Sequence, residues 1–169
     1  MTANEGGANL AYTANEINQY TEINPPPVNP VYDFDGNMTS APLSTGTWTL
    51  AWNASNQMKS SEKSGQRLEY LYDFTGRRIE KKVLDGGTPS KNERFVYDGY
   101  KLVEVLDGQN GNTVKQKFVW SGERLLSVYD TELSATYYYV LDANKNVSEL
   151  IDSAGIVQAH YEYSPFGKI

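Results

Sequence analysis

The sequence of 169 residues contains no cysteine and a single histidine, His160. Without cysteine, disulfides, thiol catalysis, iron–sulfur clusters and thiolate zinc sites are excluded. With one histidine, a histidine-based metal cluster is excluded as well, and a Ser-His-Asp triad would have to use His160. No apolar run approaches the ~20 residues of a membrane-spanning helix. The N-terminal residues lack a basic start followed by an apolar stretch. We therefore expect no signal peptide and no membrane insertion.

Basic charge is scarce. Lys and Arg number 15 against 21 Asp and Glu, which gives a formal net charge of −6. This balance argues against nucleic acid as a partner, because phosphate binding needs clustered Lys and Arg. The densest basic run, Arg77–Lys82, is interrupted by Glu80, and on a strand its side chains would alternate between both faces. We interpret the run as a solvated strand with cross-strand charge pairs.

Helix-favouring residues are few, whereas sheet-favouring residues are common, with 13 Tyr, 5 Phe and 3 Trp. Apolar and polar residues alternate with period two, so that Trp48, Leu50 and Trp52 share one face of a strand. No helix-sized window shows helical periodicity. The sequence therefore predicts an all-β fold with almost no helix. We expect consecutive antiparallel β-hairpins that form one twisted, spiralling sheet over residues 1–169, with a Pro-rich surface connection at 24–30.

A unit made of an aromatic residue and a turn recurs along the chain. The first residues of successive units stand at positions 12, 32, 52 and 72, then at 97, 120, 140 and 163. A step of about 20 residues fits one hairpin, with the Asp or Asn bonding nearby backbone and Gly supplying positive φ. The residues predicted to shape these turns are Tyr32, Asp33, Gly36, Trp52, Asn53, Tyr72, Asp73, Gly76, Arg77, Tyr97, Asp98, Gly99, Trp120, Gly122, Tyr163 and Gly167.

These units resemble the tyrosine/aspartate (YD) repeats of the RHS family, whose consensus is an aromatic-Asp-x-x-Gly-Arg/Asn turn. The segments Tyr72–Arg78 and Tyr32–Thr39 are the closest to that consensus, and residues 137–169 are similar to the start of the RHS-associated core. The resemblance implies a non-catalytic structural repeat segment of a bacterial shell that encapsulates or presents a toxin. It also implies that the parent protein is exported or lies on the cell surface. The family's autocleavage motif has no matching positions here.

For the polar residues of the turns, the sequence favours ordinary turn structure over catalysis or metal binding. The turn aspartates Asp33, Asp73 and Asp98 fit turn capping better than acid/base catalysis, and no loop has the spacing of an EF-hand calcium site. His160 is expected on a solvent-exposed strand face. The sequence therefore predicts no catalytic, cofactor-binding or metal-binding residue, no cofactor, and a protein that is not an enzyme.

An alternative function is a surface carbohydrate-binding module. It would use exposed aromatic residues such as those of Tyr137–Tyr139, although core packing and cross-strand aromatic pairs are favoured for them. The expected partners are further YD-repeat segments or self-association through sheet edges, a toxin cargo, and a glycan. Nucleic acid is not expected as a partner.

Overall fold

The computed structural model describes residues 2–5, 8–24, 28–43 and 46–163, and the side chains of 11–24, 28–42 and 46–163. This part of the chain contains sixteen β-strands and no helix. The predicted all-β class and the consecutive antiparallel hairpins are therefore confirmed. Within the same residues no helix is long and apolar enough to cross a membrane.

The strands follow one another closely along the chain. Their bounds are β1 Thr2–Glu5, β2 Ala8–Ala14, β3 Tyr20–Asn24, β4 Val31–Tyr32, β5 Met38–Leu43, β6 Gly46–Trp52, β7 Met58–Lys63, β8 Gln66–Tyr72, β9 Arg78–Asp85, β10 Thr88–Asp98, β11 Lys101–Asp107, β12 Thr113–Ser121, β13 Arg124–Asp130, β14 Ala135–Leu141, β15 Val147–Ile151 and β16 Val157–His160.

The chain forms two compact units, Met1–Lys91 and Asn92–Ile169. In the first unit β1, β2 and β3 make a three-stranded sheet, and β4 to β9 are hydrogen-bonded neighbours in chain order, with β10 beginning beside β9. In the second unit β10 to β16 are likewise neighbours in chain order. Each pair with a described register is antiparallel, as in β8 with β9 and β12 with β13.

Burial follows the alternation seen in the sequence. In β6 the side chains of Trp48, Leu50 and Trp52 are half-buried, while Thr47, Thr49 and Ala51 are exposed. Leu50 pairs across the sheet with Ser61, and Ser61 pairs with Leu68. Because residues paired across antiparallel strands share a face, the polar side chain of Ser61 is buried between two leucines on this face of the first unit.

Few side chains are fully enclosed. The buried apolar residues among those described are Ala41, Val105 and Val128, together with the prolines Pro30 and Pro42. Val128 pairs with Phe118 on β12 and with Tyr137 on β14, so two aromatic side chains flank it on its face. The stability of each unit therefore depends on half-buried cross-strand contacts and on the hydrogen bonds of the ladders and turns.

The predicted Pro-rich surface connection at 24–30 is described in part. In the Pro-rich segment residues 25–27 lie outside the described part of the chain, whereas Val28 exchanges backbone hydrogen bonds of 2.9 Å with Ile23. Pro30 is buried, which differs from the surface position expected for it. The interpretation of 1–169 as one domain stays a prediction.

Candidate functional site

Six five-residue turns share one geometry built around an Asp or Asn at the first position. In the second such turn of the chain, Asp33 Oδ1 accepts hydrogen bonds from the backbone N–H of Asp35 at 3.0 Å and of Asn37 at 2.8 Å. The Asp33 N–H donates to Asn37 O at 2.9 Å, which closes the turn. The six turns begin at Asn15, Asp33, Asn53, Asp73, Asp142 and Asp152.

The fourth position of each turn has a positive φ. In three turns this position is a glycine: Gly36, Gly76 and Gly155, with φ of 85°, 85° and 80°. Asn18, Asn56 and Lys145 occupy it in the other three turns, at φ of 63°, 56° and 67°. Glycine and asparagine adopt this region at the lowest steric cost, which is why the sequence pattern pointed to these positions.

The first and fifth side chains are chemically matched in five of the six turns. In three of the four turns that begin with Asp, the fifth residue carries a donor: Asn37 Nδ2 donates to Asp33 Oδ2 at 3.1 Å, Arg77 contacts Asp73 Oδ2 at 2.7 Å, and Asn146 Nδ2 donates to Asp142 Oδ2 at 3.0 Å. In the fourth the fifth residue is Ile156, and Gln158 Nε2 donates to Asp152 Oδ2 at 2.8 Å instead. Where the first residue is Asn, the fifth is Gln, and Asn53 Nδ2 donates to the Gln57 carbonyl oxygen at 2.9 Å. The match explains why Asp precedes Asn or Arg at this spacing and why Asn precedes Gln.

The four turns of the first unit are joined to one another. We call them the stacked turn row, made of Asn15–Gln19, Asp33–Asn37, Asn53–Gln57 and Asp73–Arg77. The aromatic residue before each of the last three turns bonds the backbone of the first residue after the preceding turn. These bonds are Tyr20 N–H to Tyr32 Oη at 3.1 Å, Trp52 Nε1–H to Met38 O at 2.8 Å, and Tyr72 Oη–H to Met58 O at 3.0 Å.

The start of the repeat differs from the sequence prediction. The predicted units placed Tyr12 in line with Tyr32, but the residue before the first turn asparagine is Ala14. Tyr12 instead packs against Tyr20, with ring centroids 5.1 Å apart. The first turn is therefore two residues closer to its successor than a regular step of 20 implies, because Asn15 and Asp33 are the equivalent positions.

The predicted turn residues of the second unit form a different kind of reversal. Gly99 and Gly122, at φ of 57° and 55°, each occupy the first position of a two-residue hairpin turn. Asp98 pairs with Lys101 across the first of these turns. Trp120 Nε1–H donates to Leu102 O at 2.8 Å, as Trp52 does in the first unit. Tyr163 is half-buried, and Gly167 lies outside the described residues.

The pKa is lowered for each aspartate that begins a five-residue turn, namely Asp33, Asp73, Asp142 and Asp152. Partial burial by itself would raise the pKa of Asp73, but hydrogen bonds from Thr75 and Arg77 lower it to about 2. The pKa of Asp33 is also lowered, by hydrogen bonds from Asn37 that outweigh partial burial. A general base that acts near neutral pH needs a pKa near 7. These carboxylates are therefore suited to capping turns rather than to transferring protons.

A histidine and two glutamates lie close together at the end of the second unit. His160 Nδ1 is 3.5 Å from Glu149 Oε1, and His160 Nε2 is 3.5 Å from Glu162 Oε1. The histidine side chain is 54% exposed, as the strand pattern predicted. Sequence reasoning missed Glu149 as its neighbour, because that contact depends on the register of β15 with β16.

Two surface features were also missed. Phe34 and Phe74 are fully exposed at the second position of their turns. A shallow, open cavity of about 440 Å³ in the second unit is lined by polar groups that include Ser134, Tyr138 and Asp152. Among the described residues no set of His, Asp or Glu side chains could hold a metal ion.

The geometry defines the class of this protein as an all-β chain of antiparallel hairpins with recurrent Asx turns. Three curated proteins are similar to it, each 30% identical over 156 residues that make up 90% of this chain. They are the tRNA3(Ser)-specific nuclease WapA of Bacillus spizizenii, the tRNA(Glu)-specific nuclease WapA of Bacillus subtilis subsp. natto, and the tRNA nuclease WapA of Bacillus subtilis. The chain spans about 6% of the length of these relatives. No family model matches it.

These findings correct three predictions. The assignment to the RHS family and its shell is contradicted, because the relatives are named as WapA nucleases and no family model matches. The inferences of a non-catalytic shell segment and of a protein that is not an enzyme are contradicted by the same names. The physical reason is that a turn motif specifies backbone conformation and says little about the chemistry of the protein that uses it. The predicted partners, among them sheet-edge association, a toxin cargo and a glycan, stay predictions.

Proposed function

We propose that this chain is part of a toxin-type nuclease whose substrate class is tRNA. The observation that carries the proposal is the similarity to three WapA nucleases, which extends over 90% of this chain. Because the chain spans about 6% of those relatives, the proposal concerns the longer protein to which such a segment would belong. It assigns the activity to that protein and no catalytic residue to the described strands.

Cleavage of an RNA backbone needs a group that removes a proton from the attacking oxygen and a group that protonates the leaving oxygen. Within the part of the chain that the structure describes, His160 brings such groups together, since its ring nitrogens lie 3.5 Å from Glu149 Oε1 and Glu162 Oε1. Histidine and glutamate are side chains that commonly act as general acids and bases in enzymes. His160 is therefore the residue whose substitution tests whether this segment takes part in the chemistry.

The experiment uses the complete gene product that contains this chain and, in parallel, the purified 169-residue chain. Each is incubated with total bacterial tRNA with and without divalent cations, and the products are mapped on denaturing gels with end-labelled RNA. Duplex DNA of similar length serves as the substrate control. Cleavage of tRNA by the complete product supports the proposal, and an intact tRNA pool under all conditions contradicts it.

The location of the chemistry is resolved by a second comparison. His160→Gln removes the imidazole, and Glu123→Gln is the matched control because Glu123 is a highly exposed carboxylate that contacts Lys101 in another turn. Loss of cleavage in His160→Gln alone would place proton transfer at this segment. Equal cleavage by both variants would place the reacting groups elsewhere in the longer protein.

A further inference from the structure

The turn between β11 and β12 contains an asparagine, Asn110, whose side chain is exposed and which is followed by a glycine. The chain has fourteen asparagines, and Asn110 is the one that is followed by glycine. Asn110, Gly111 and Asn112 are all exposed at the tip of this turn. An asparagine side chain is vulnerable when the next backbone nitrogen can reach its Cγ atom, and glycine offers the least obstruction because it has no Cβ.

The hydrogen bonds of the turn involve neither the backbone N–H of Gly111 nor the side-chain amide of Asn110. The backbone N–H of Asn110 donates to Asp107 O at 3.3 Å, and that of Asn112 donates to the same oxygen at 2.9 Å. The N–H of Gly111 lies between these two and, within the described residues, donates to no acceptor. The side-chain amide of Asn110 likewise has no hydrogen-bond partner among the described residues.

In two Asp-Gly dipeptides of this chain the glycine N–H is already hydrogen-bonded. Gly108 follows Asp107, but its N–H donates to Asn92 O at 2.8 Å. Gly86 follows Asp85, and its N–H donates to Gly65 O at 2.9 Å. The neighbouring Asn112 accepts a hydrogen bond from Arg94 at 3.1 Å through its side-chain oxygen, and a threonine follows it.

We propose that Asn110 is a site of spontaneous modification, at which the Asn110–Gly111 pair converts through a succinimide into aspartate and isoaspartate. The Gly111 nitrogen attacks Asn110 Cγ, so that an N–Cγ bond forms and the Cγ–Nδ2 bond breaks. Nδ2 leaves as ammonia, which takes up the proton that the Gly111 nitrogen loses. Water then opens the ring at one carbonyl or the other, which yields aspartate or isoaspartate.

The modification changes both charge and backbone. Either product adds one negative charge to the formal net charge of −6 and places it in the turn that follows Asp107. The isoaspartyl product also adds a methylene to the main chain within the turn. The turn connects β11 and β12, where Asp107 pairs with Thr113, so the conversion lengthens the connection that closes this hairpin.

The test is prolonged incubation of the folded chain at mildly alkaline pH, with circular dichroism confirming that it stays folded. Tryptic peptides are then sequenced by mass spectrometry, and isoaspartate is quantified by enzymatic methylation. We expect loss of the amide at Asn110 in the peptide Leu102–Lys115, faster than at Asn112 in the same peptide and at the exposed Asn144.

Two variants make the result decisive. Gly111→Ala retains the asparagine, and its added Cβ obstructs the attacking nitrogen; the Cβ meets nothing within 4 Å, although alanine at a φ of 58° strains the turn. We expect its conversion to be several-fold slower, since only glycine leaves that nitrogen unhindered. Asn110→Ser should abolish the new charge on ion exchange. An Asn110 amide that persists as long as that of Asn112, or an unchanged rate in Gly111→Ala, would overturn the proposal.

Discussion

The hydroxyl of Tyr72 donates a hydrogen bond of 3.0 Å to the backbone carbonyl of Met58, fourteen residues earlier in the chain. This contact joins one turn of the stacked turn row to the turn before it. Trp52 makes the equivalent contact to Met38 with its indole N–H. An aromatic residue with a polar group therefore links successive repeats, since its ring packs on the sheet while its N–H or O–H donates a hydrogen bond to a backbone carbonyl.

Replacing Tyr72 by Phe should remove this link and leave the ring in place. We expect Tyr72→Phe to lower the free energy of unfolding by about 1 kcal/mol, because the half-buried carbonyl of Met58 loses its donor. The measurement is urea denaturation followed by circular dichroism. Tyr100→Phe is the matched control, because Tyr100 is 83% exposed. Equal stability of the two variants would show that the contact contributes nothing.

Acid should destabilise the first unit through Asp73. Its pKa is about 2 in the folded chain against an ordinary value of 3.8. A depressed folded pKa means that the stabilising contribution is complete above about pH 4 and disappears as the pH falls through 2. We expect Asp73→Asn to make the pH dependence of the unfolding midpoint shallower between pH 4 and 2. A slope identical to that of the unmodified chain would contradict this assignment.

Gly108 should tolerate no side chain, for a steric rather than a conformational reason. A Cβ at this position would lie 2.6 Å from Asn92 Nδ2 and 2.7 Å from Asn92 Cγ, and Asn92 is buried. We expect Gly108→Ala to cost about 1–3 kcal/mol of stability, as overpacking typically does. The double variant Asn92→Ala/Gly108→Ala should recover part of that loss. Additive destabilisation in a double-mutant cycle would refute the clash.

Thr131 should stabilise the turn after β13 through its hydroxyl. Its Oγ1 lies 2.8 Å from Val114 O and 2.9 Å from Lys115 O, so the hydroxyl donates to backbone of the neighbouring strand. We expect Thr131→Val to lower the free energy of unfolding by about 1 kcal/mol. Thr113→Val is the control, because Thr113 is exposed. A loss of stability in the control as large as in Thr131→Val would assign the effect to the change of side chain in general.

The function could not be predicted from the same signals as the fold. The turn units led to an RHS-type shell without catalysis, which the named nuclease relatives contradict. Asp, Gly and aromatic residues at turn spacing report the backbone conformation that they favour, and proteins of different activity can share it. The contact between His160 and Glu149 could not be predicted either, because Glu149 is eleven residues away in sequence and only the register of the strands brings it within 3.5 Å.

The sequence by itself determined the all-β class, the alternation of buried and exposed side chains, and most turn positions. Each of these depends on residues close together in the chain, such as Asp73 with Gly76 and Arg77, so local stereochemistry was sufficient. Only the tertiary structure decided which turns contact one another, why Gly108 faces Asn92, and that the repeat begins at Asn15 rather than in line with Tyr12. Those features depend on strand register, which is set by the packing of side chains from separate strands.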